Sequence, residues 1–225
     1  MTKTTPLRGK LLFATKNKGK VKELRALLEA IPLEILSATD LPDFPSVRET
    51  GSTFEENALL KARESAIHAG MPALADDSGL VVDALDGAPG VLSARYSGPG
   101  ATDARNTELV LHRLRKTPWT RRTARFRCVV AFVDPKNIDR NRTAPTDSDA
   151  PNPDEITQLA HGSCEGYILE APKGASGFGY DPVFYYPELA KTFAELAASA
   201  KNKISHRAHA MKTMASFLAD YFEAL

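Results

Sequence analysis

The chain has 225 residues and carries 29 basic and 28 acidic side chains, which gives a formal net charge of +1. This length suits one sizeable domain or two small ones, and a composition with 43% hydrophobic and 25% charged residues is that of a globular protein with a large core. The even charge balance argues against a dedicated nucleic-acid binder, and no apolar run is long enough to predict a membrane span.

The N-terminal part of the chain predicts a strand, a turn, a helix and a second strand. Residues 1–9 lack the apolar segment of a signal peptide, so we treat them as an extension of a cytoplasmic protein. The apolar run at 10–15 predicts a buried strand, and apolar residues then recur at helical spacing over 21–31. Together with a further strand at 33–36, this order favours an α/β fold.

The next part of the chain contains a well-marked helix and an acidic pair. Thr53 and Glu56 have the spacing of a capping box, and the helix that they begin is expected to end near Gly70. Two short apolar strands, at 73–76 and 80–85, then flank the sequence Asp-Asp-Ser-Gly. We therefore expect the acidic pair to lie at the mouth of a buried element.

The C-terminal half alternates helices, strands and one long polar segment. A helix is predicted over 102–116, and 123–134 is the clearest long strand. Residues 135–158 are rich in Pro, Asp and Asn and predict a flexible surface insertion. After it, a strand is predicted at 166–172, and apolar residues on one face over 204–222 predict a long terminal helix.

The turn between the first strand and the first helix has the chemistry of a phosphate-binding loop. Lys16, Lys18 and Lys20, with the N–H groups of the helix N-terminus, supply positive potential at the edge where α/β sheets bind ligands. Gly19 allows close approach of the backbone, and Asn17 can donate and accept hydrogen bonds. The Walker A spacing is absent, and a solvated lysine-rich turn explains the same residues equally well.

The adjacent carboxylates Asp76 and Asp77 raise the question of what compensates their charge. Side chains alternate between faces in an extended segment, so the two need not share a site, and a solvated pair is the simplest interpretation. The apolar flanks favour partial burial, however, and a buried carboxylate requires a partner. Mg²⁺, which binds a few carboxylates, water and phosphate oxygens, is one candidate, with Glu49 as a possible second ligand.

Two further segments contain residues that suit a nucleotide. Phe178 and Tyr180, in a glycine-rich loop, offer ring faces on which a purine can stack, although aromatic residues of a tight turn also pack into cores. Lys201, His206 and Arg207 lie at the start of the last predicted helix, where donors suit an anion or a keto oxygen. The alternative for these three is a solvated helix end.

Taken in order, these segments resemble the signatures of the inosine/xanthosine triphosphate pyrophosphatases, the Ham1-like and RdgB-like group. The matching segments are LLFATKNKGKVKELRALL, ETGSTFEENALLKA, ADDSGLVVDALDGAPGVLSARYSG, GFGYDPVF and SHRAHA, which cover roughly residues 10–222. The resemblance implies one enzyme domain over 1–225 with an elongated two-lobed α/β fold, in which helices flank a long mixed central sheet and the active site lies in the cleft between the lobes. It also implies a homodimer.

The resemblance further implies a reaction and a role for individual residues. ITP, dITP and XTP would be hydrolysed to the monophosphate and pyrophosphate, which removes deaminated purines from the nucleotide pool. Asp77 matches the general base, Glu49 and Asp77 match the Mg²⁺ ligands, and Lys61 is a weaker match to a phosphate contact, whereas Asp76 receives no catalytic role. The substrate-binding positions that it implies are Thr15, Lys16, Asn17, Lys18, Gly19, Lys20, Ser78, Phe178, Gly179, Tyr180, Asp181, Lys201, His206 and Arg207.

Two other functions remain open at the level of sequence. One is a pyrophosphatase of similar fold that acts on modified pyrimidine nucleotides, as Maf-like proteins do, and the Ser-His-Arg and Phe-Gly-Tyr-Asp motifs argue against it. The other is a nucleotide-binding protein without catalysis, and the presence of both Glu49 and Asp77 argues against that. Neither a nucleic acid nor a membrane is expected as a partner.

Overall fold

The computed structural model describes residues 9–135 and 156–224, which form two compact units. Both units are assembled from segments that are distant in sequence. Within the described ranges, unit 1 contains residues 9–76, 129–135, 156–160 and 211–224, and unit 2 contains residues 77–128 and 161–210.

Seven strands form one mixed sheet. They are β1 (Gly9–Phe13), β2 (Leu33–Ser37), β3 (Ala73–Val82), β4 (Thr123–Asp134), β5 (Ile156–Ile168), β6 (Phe184–Tyr186) and β7 (Lys191–Thr192). Their order across the sheet is β2-β1-β3-β4-β5-β6-β7, in which β1 pairs in parallel with β2 and β3, and β6 pairs antiparallel with β5 and β7. The predicted α/β fold with a mixed central sheet is therefore confirmed.

The register of β1 and β2 determines where the first loop of the chain lies. Gly9 is opposite Leu33, and Phe13 is opposite Ser37, so both strands end at the same edge of the sheet. The loop that follows β1 leaves the sheet at this carboxyl edge, where parallel sheets commonly bind ligands.

Five α-helices accompany the sheet in the described part of the chain. They are α1 (Lys18–Leu27), α2 (Phe54–Ala69), α3 (Asp103–Leu114), α4 (Ala198–Ile204) and α5 (His206–Glu223). The predicted capping box of α2 is present, since the Thr53 hydroxyl accepts from the Glu56 N–H and the Glu56 carboxylate accepts from the Thr53 N–H. Among the helices described, none has both the length and the apolar character needed to cross a membrane.

Several element boundaries differ from the prediction. The acidic pair does not separate two strands, because β3 runs without interruption from Ala73 to Val82. Asp has a low strand propensity, but β1 and β4 pair with β3 on its two sides, and this pairing outweighs the local preference. Asp76 and Asp77 therefore lie within a strand, with side chains on opposite faces.

The second half of the sheet also departs from the prediction. Strand β5 begins at Ile156, so the last three residues of the predicted insertion, 156–158, belong to the sheet. Their polar sequence concealed a strand that pairs with its neighbours β4 and β6. The remainder of that insertion, 136–155, lies outside the described residues, as do residues 1–8 of the predicted extension.

The predicted terminal helix is divided at Ser205. The backbone of Ser205 is extended, with φ −71° and ψ 155°, which ends α4. Its hydroxyl accepts a hydrogen bond from the Ala208 N–H at 3.1 Å and thereby caps the beginning of α5. As a result Lys201 lies on α4, whereas His206 and Arg207 occupy the first turn of α5.

Candidate active site

The loop between β1 and α1 is folded by its own polar side chains. Asn17 precedes α1, and its Oδ1 accepts from the N–H groups of Gly19 at 2.8 Å and Lys20 at 3.2 Å. Thr15 Oγ1 accepts from the Asn17 N–H at 3.2 Å. Because Asn17 already satisfies two of the N–H groups at the helix N-terminus, the positive potential of this loop comes mainly from its lysines.

The three lysines of this loop have different surroundings. Lys20 Nζ contacts both carboxylate oxygens of Asp76, at 2.9 and 2.8 Å, and the Asp76 side chain is only 2% exposed. Lys16 Nζ donates to the Phe44 carbonyl at 3.0 Å. The Lys18 side chain is exposed and lines a cavity of about 290 Å³. A lysine is therefore a charge partner of the buried Asp76 carboxylate.

A second charged pair in unit 1 involves the predicted metal ligand Glu49. Lys61, on α2, donates to Glu49 Oε1 at 2.8 Å, and the two side chains are 13% and 26% exposed. The preceding loop is fixed to the same helix, because the Gly51 N–H donates to Asn57 Oδ1 at 2.8 Å. Lys61, which we predicted only weakly as a phosphate contact, thus holds the Glu49 carboxylate in place.

In unit 2, residues from three separate segments meet around the ring of Phe178. Lys201 Nζ lies 4.7 Å from the ring centroid and Arg207 Cζ lies 5.8 Å from it. Arg207 is only 2% exposed and donates to Ser78 Oγ at 3.2 Å. The structure therefore brings together four of the predicted substrate-binding residues in one largely buried cluster with two positive charges.

Asp181 contacts both the loop backbone at Phe178 and the side chain of Lys201. Its Oδ2 accepts from the Phe178 N–H at 3.0 Å and forms an ion pair with Lys201 Nζ at 2.6 Å. Both members of the pair are buried, with 3% and 8% of their side chains exposed. A short, charge-assisted hydrogen bond of this kind fixes both the loop backbone and the ammonium group.

For Tyr180 the sequence left open stacking on a base or packing into the core, and the structure shows core packing. The residue is 4% exposed and belongs to the apolar core of unit 2, and its hydroxyl donates to the Ser93 carbonyl at 2.7 Å. Burial raises the pKa of this phenol above its ordinary value. Its ring therefore offers no face to a base, and the residue anchors the loop instead.

His206 is also buried, at the start of α5. Its ring stacks on Phe126 with 4.7 Å between centroids and an interplanar angle of 15°. The helix can approach the sheet closely here because a Cβ on Gly162 would lie 2.1 Å from the His206 carbonyl oxygen. This close packing fixes the backbone from which His206 and Arg207 project.

Sequence reasoning also missed buried polar residues of unit 2 that form hydrogen bonds with its backbone. Asn106, on α3, accepts from the N–H and hydroxyl of Ser97 at 2.8 and 2.7 Å and donates to the Ala94 carbonyl at 3.1 Å. Ser93 Oγ accepts from the Leu80 N–H at 2.9 Å. Buried Asn and Ser side chains of this kind carry no pattern that periodicity detects.

The two predicted metal ligands, Glu49 in unit 1 and Asp77 in unit 2, are carboxylates, a ligand type that suits a hard divalent cation better than a structural zinc ion. Within the described ranges, no three His, Cys, Asp or Glu side chains come together as a ready-made metal-binding group. Glu49 and the 7% exposed Asp77 offer carboxylate oxygens, and Mg²⁺ commonly completes its shell with water and substrate phosphates. A closed zinc site would instead require four protein ligands, typically Cys or His.

Comparisons with known proteins extend over almost the whole chain. The model of the Ham1 family matches residues 11–217. A protein named dITP/XTP pyrophosphatase from Geobacter sulfurreducens is 47% identical over 209 residues, which cover 93% of this chain and 96% of the relative. One of the same name from Geobacillus kaustophilus is 49% identical over 201 residues, or 89% and 90% of the two chains. The solved structure of a HAM1 protein from Coxiella burnetii superposes with a TM-score of 0.77 at 40% identity and covers 94% of this chain and 98% of that one.

Proposed function

This chain belongs to the Ham1 family, and on that premise we propose that it hydrolyses dITP, XTP and the related ITP to the monophosphate and pyrophosphate. The observation that carries the proposal is the match to proteins named dITP/XTP pyrophosphatase, which extends over more than nine-tenths of both chains. We further propose that residues 1–225 act as one enzyme domain in the cytoplasm and that the protein is a homodimer. The activity would remove deaminated purines from the nucleotide pool.

The chemistry of the proposal is an in-line displacement at the α-phosphorus. The oxygen of a water molecule forms a bond to that phosphorus, while the bond to the oxygen bridging to the β-phosphate breaks and pyrophosphate departs. The Asp77 carboxylate accepts the proton that the water loses. Because phosphoryl transfer depends chiefly on positioning and electrostatics, the role of Asp77 is to orient the water as well as to accept its proton.

Glu49 and Asp77 are the residues that would hold Mg²⁺. When bound, this ion would neutralise the charge that develops on the phosphate oxygens. The Lys61 side chain supports the arrangement by orienting the Glu49 carboxylate, to which it is joined at 2.8 Å.

The triphosphate is assigned to the lysine-rich loop of unit 1. Its exposed cations attract a polyanion over distances of about 10 Å at ordinary ionic strength. Lys18 is exposed and occupies the first position of α1, where the helix dipole adds to its charge. In contrast with a Walker A loop, the contacts here come from side chains rather than from a cradle of backbone N–H groups.

The base is assigned to the buried cluster of unit 2. Phe178 offers a ring face, and donors from His206, Arg207 or nearby N–H groups would meet the keto oxygen at position 6. Adenine carries an amino group there, so the same donors would face another donor and remain buried without an acceptor. A mismatch of this kind can give discrimination of about 10⁴-fold.

Identification of the products tests this reaction directly. Incubation with dITP and Mg²⁺ should give dIMP and pyrophosphate in equal amounts, which separation by anion-exchange chromatography measures. Formation of dIDP and inorganic phosphate would contradict attack at the α-phosphorus. Light scattering during size-exclusion chromatography would show whether the mass in solution is that of two chains.

A further inference from the structure

The first turns of α3 hold the peptide groups on both sides of Gly179. Asp103 Oδ2 accepts a hydrogen bond from the Gly179 N–H at 2.7 Å, and the Thr107 hydroxyl lies 3.4 Å from the Gly179 carbonyl oxygen, to which it donates. The two residues are four positions apart, so their side chains project from the same face of the helix. The bond to Asp103 is the stronger of the two, because a carboxylate is the acceptor and the distance is short.

Gly179 requires such support because of its backbone conformation. Its φ is +60°, in the left-handed region, and a Cβ built on it would have no heavy atom within 4 Å. Packing therefore does little to fix this peptide, and hydrogen bonds must determine its orientation. The residue directly before it is Phe178, the proposed base-stacking side chain.

The Phe178 backbone is consequently anchored from two directions. On the inner side, Asp181 Oδ2 accepts its N–H at 3.0 Å and is itself paired with Lys201. On the outer side, the next peptide group is bonded to α3 through Asp103. The position of the ring relative to Lys201 and Arg207 depends on both anchors, and α3 supplies the outer one.

We propose that Asp103 and Thr107 are positioning residues for recognition of the base. The inference rests on the proposed function, since it assigns the loop at Phe178–Asp181 to the purine. Asp103 is exposed and lies in the first turn of α3, outside the buried cluster, so the role is not one of core packing. Loss of its bond frees the Gly179 peptide and weakens selection of the 6-keto purine, while the reacting groups are untouched.

The test compares Asp103→Ala and Thr107→Val with two matched variants of the full chain. Asp103→Asn keeps an oxygen acceptor but loses the charge, and Glu108→Ala removes an exposed carboxylate elsewhere on the same helix. For Asp103→Ala we expect the KM for dITP to rise about 5- to 10-fold with kcat nearly unchanged, and a smaller effect is expected for Thr107→Val. The kcat/KM ratio of dITP to dATP should fall by a similar factor, and Asp103→Asn should restore most of it.

Three outcomes separate this inference from its alternatives. An unchanged dITP/dATP ratio in Asp103→Ala overturns it, as does an equal loss for every nucleotide accompanied by a lower melting temperature, which indicates a merely structural role. The same shift in Glu108→Ala also overturns it, because the effect then belongs to helix charge. Failure of the wild-type protein to release pyrophosphate from dITP is a different result, which refutes the proposed function itself.

Discussion

The predicted site residues of unit 1 and unit 2 differ in how they are held. In unit 1 Lys16 and Lys18 of the lysine-rich loop are exposed, whereas Lys20 pairs with the buried Asp76 carboxylate; outside the loop, Lys61 on α2 pairs with Glu49. In unit 2 the ion pair between Lys201 and Asp181 is buried beside an aromatic ring. The first arrangement suits a hydrated polyanion, and the second suits a flat, weakly charged group that must be desolvated.

This difference suggests that unit 1 contributes mainly affinity for the triphosphate and that unit 2 contributes mainly selectivity for the base. Exposed cations attract any triphosphate, whichever base it carries, and salt screens their effect. Buried donors discriminate between bases, because a wrong partner leaves polar groups unsatisfied in a medium where that is costly. The following substitutions test whether the two regions can be separated in this way.

The largest effect is expected at Asp77, the proposed general base. Asp77→Asn keeps the size of the side chain but removes its ability to accept a proton, so kcat should fall about 10²- to 10⁴-fold. The measurement is kcat at saturating Mg²⁺ and dITP, with the melting temperature as a check on folding. A kcat close to that of the wild type would show that Asp77 is not the general base.

The next effect concerns the buried pair of unit 2. Lys201→Met removes the cation from a buried carboxylate and should lower the free energy of unfolding by about 3–5 kcal/mol, as measured by urea denaturation. Lys10→Met is the matched control, because the pair between Lys10 and Glu34 is 61% and 40% exposed and should contribute less than about 1 kcal/mol. Similar losses in both variants would show that burial does not distinguish these pairs.

A smaller and different effect is expected for the exposed loop. Lys18→Ala should leave the free energy of unfolding within about 0.5 kcal/mol of the wild type. The KM for dITP should rise about 3- to 10-fold and by the same factor for dATP, because the lost attraction is to the triphosphate. The increase should shrink at high salt, and Lys116→Ala, an exposed lysine of unit 2, should leave KM unchanged. A change in the dITP/dATP ratio would contradict this separation of affinity from selectivity.

The smallest effect is a pH dependence in unit 2, at the partly exposed Asp83. A hydrogen bond from the Thr123 hydroxyl at 2.7 Å, followed by bonds from Arg125, holds the pKa of this carboxyl below its usual value of 3.8. A depressed pKa stabilises the fold above the unfolded-state value, and the contribution is lost as pH falls through the folded-state value. In Asp83→Asn the free energy of unfolding should therefore fall less steeply as the pH drops below about 4. At pH 7 the substitution should change this free energy by less than about 1 kcal/mol. Urea denaturation at several pH values measures this. Free energies of unfolding that fall in parallel for the two proteins between pH 7 and pH 3 would contradict the prediction.

Local signals accounted for much of the fold. The capping box at Thr53 and Glu56 and the apolar run of β4 determine their elements through short-range chemistry, and both were predicted with correct positions. By contrast β3 continues through Asp76 and Asp77 because of pairing with distant strands. Such pairing depends on partners that a single segment does not reveal, which is also why the polar beginning of β5 was missed.

The functional site could be predicted from the sequence less completely than the fold, for the same reason. The loop of Lys16 to Lys20 could be recognised from its place between a strand and a helix, because all its parts are consecutive. The cluster around Phe178 combines three segments, so only the resemblance to a family connected them. The sequence left the role of Tyr180 open, because an aromatic residue in a loop has the same sequence whether its ring faces a ligand or the core. Asp103 was missed because its partner is a backbone N–H of another segment.

The most direct test of the proposed activity is a nucleotide panel assayed for pyrophosphate release with and without Mg²⁺. The panel contains dITP, XTP, dATP, dGTP and a modified pyrimidine triphosphate, and each is compared by kcat/KM. Metal-dependent release from dITP and XTP should be at least about 100-fold faster than from dATP. Because guanine shares the 6-keto oxygen, dGTP tests separately whether a 2-amino group is excluded. Equal rates for dATP, a preference for the pyrimidine, or binding of dITP without turnover would contradict it.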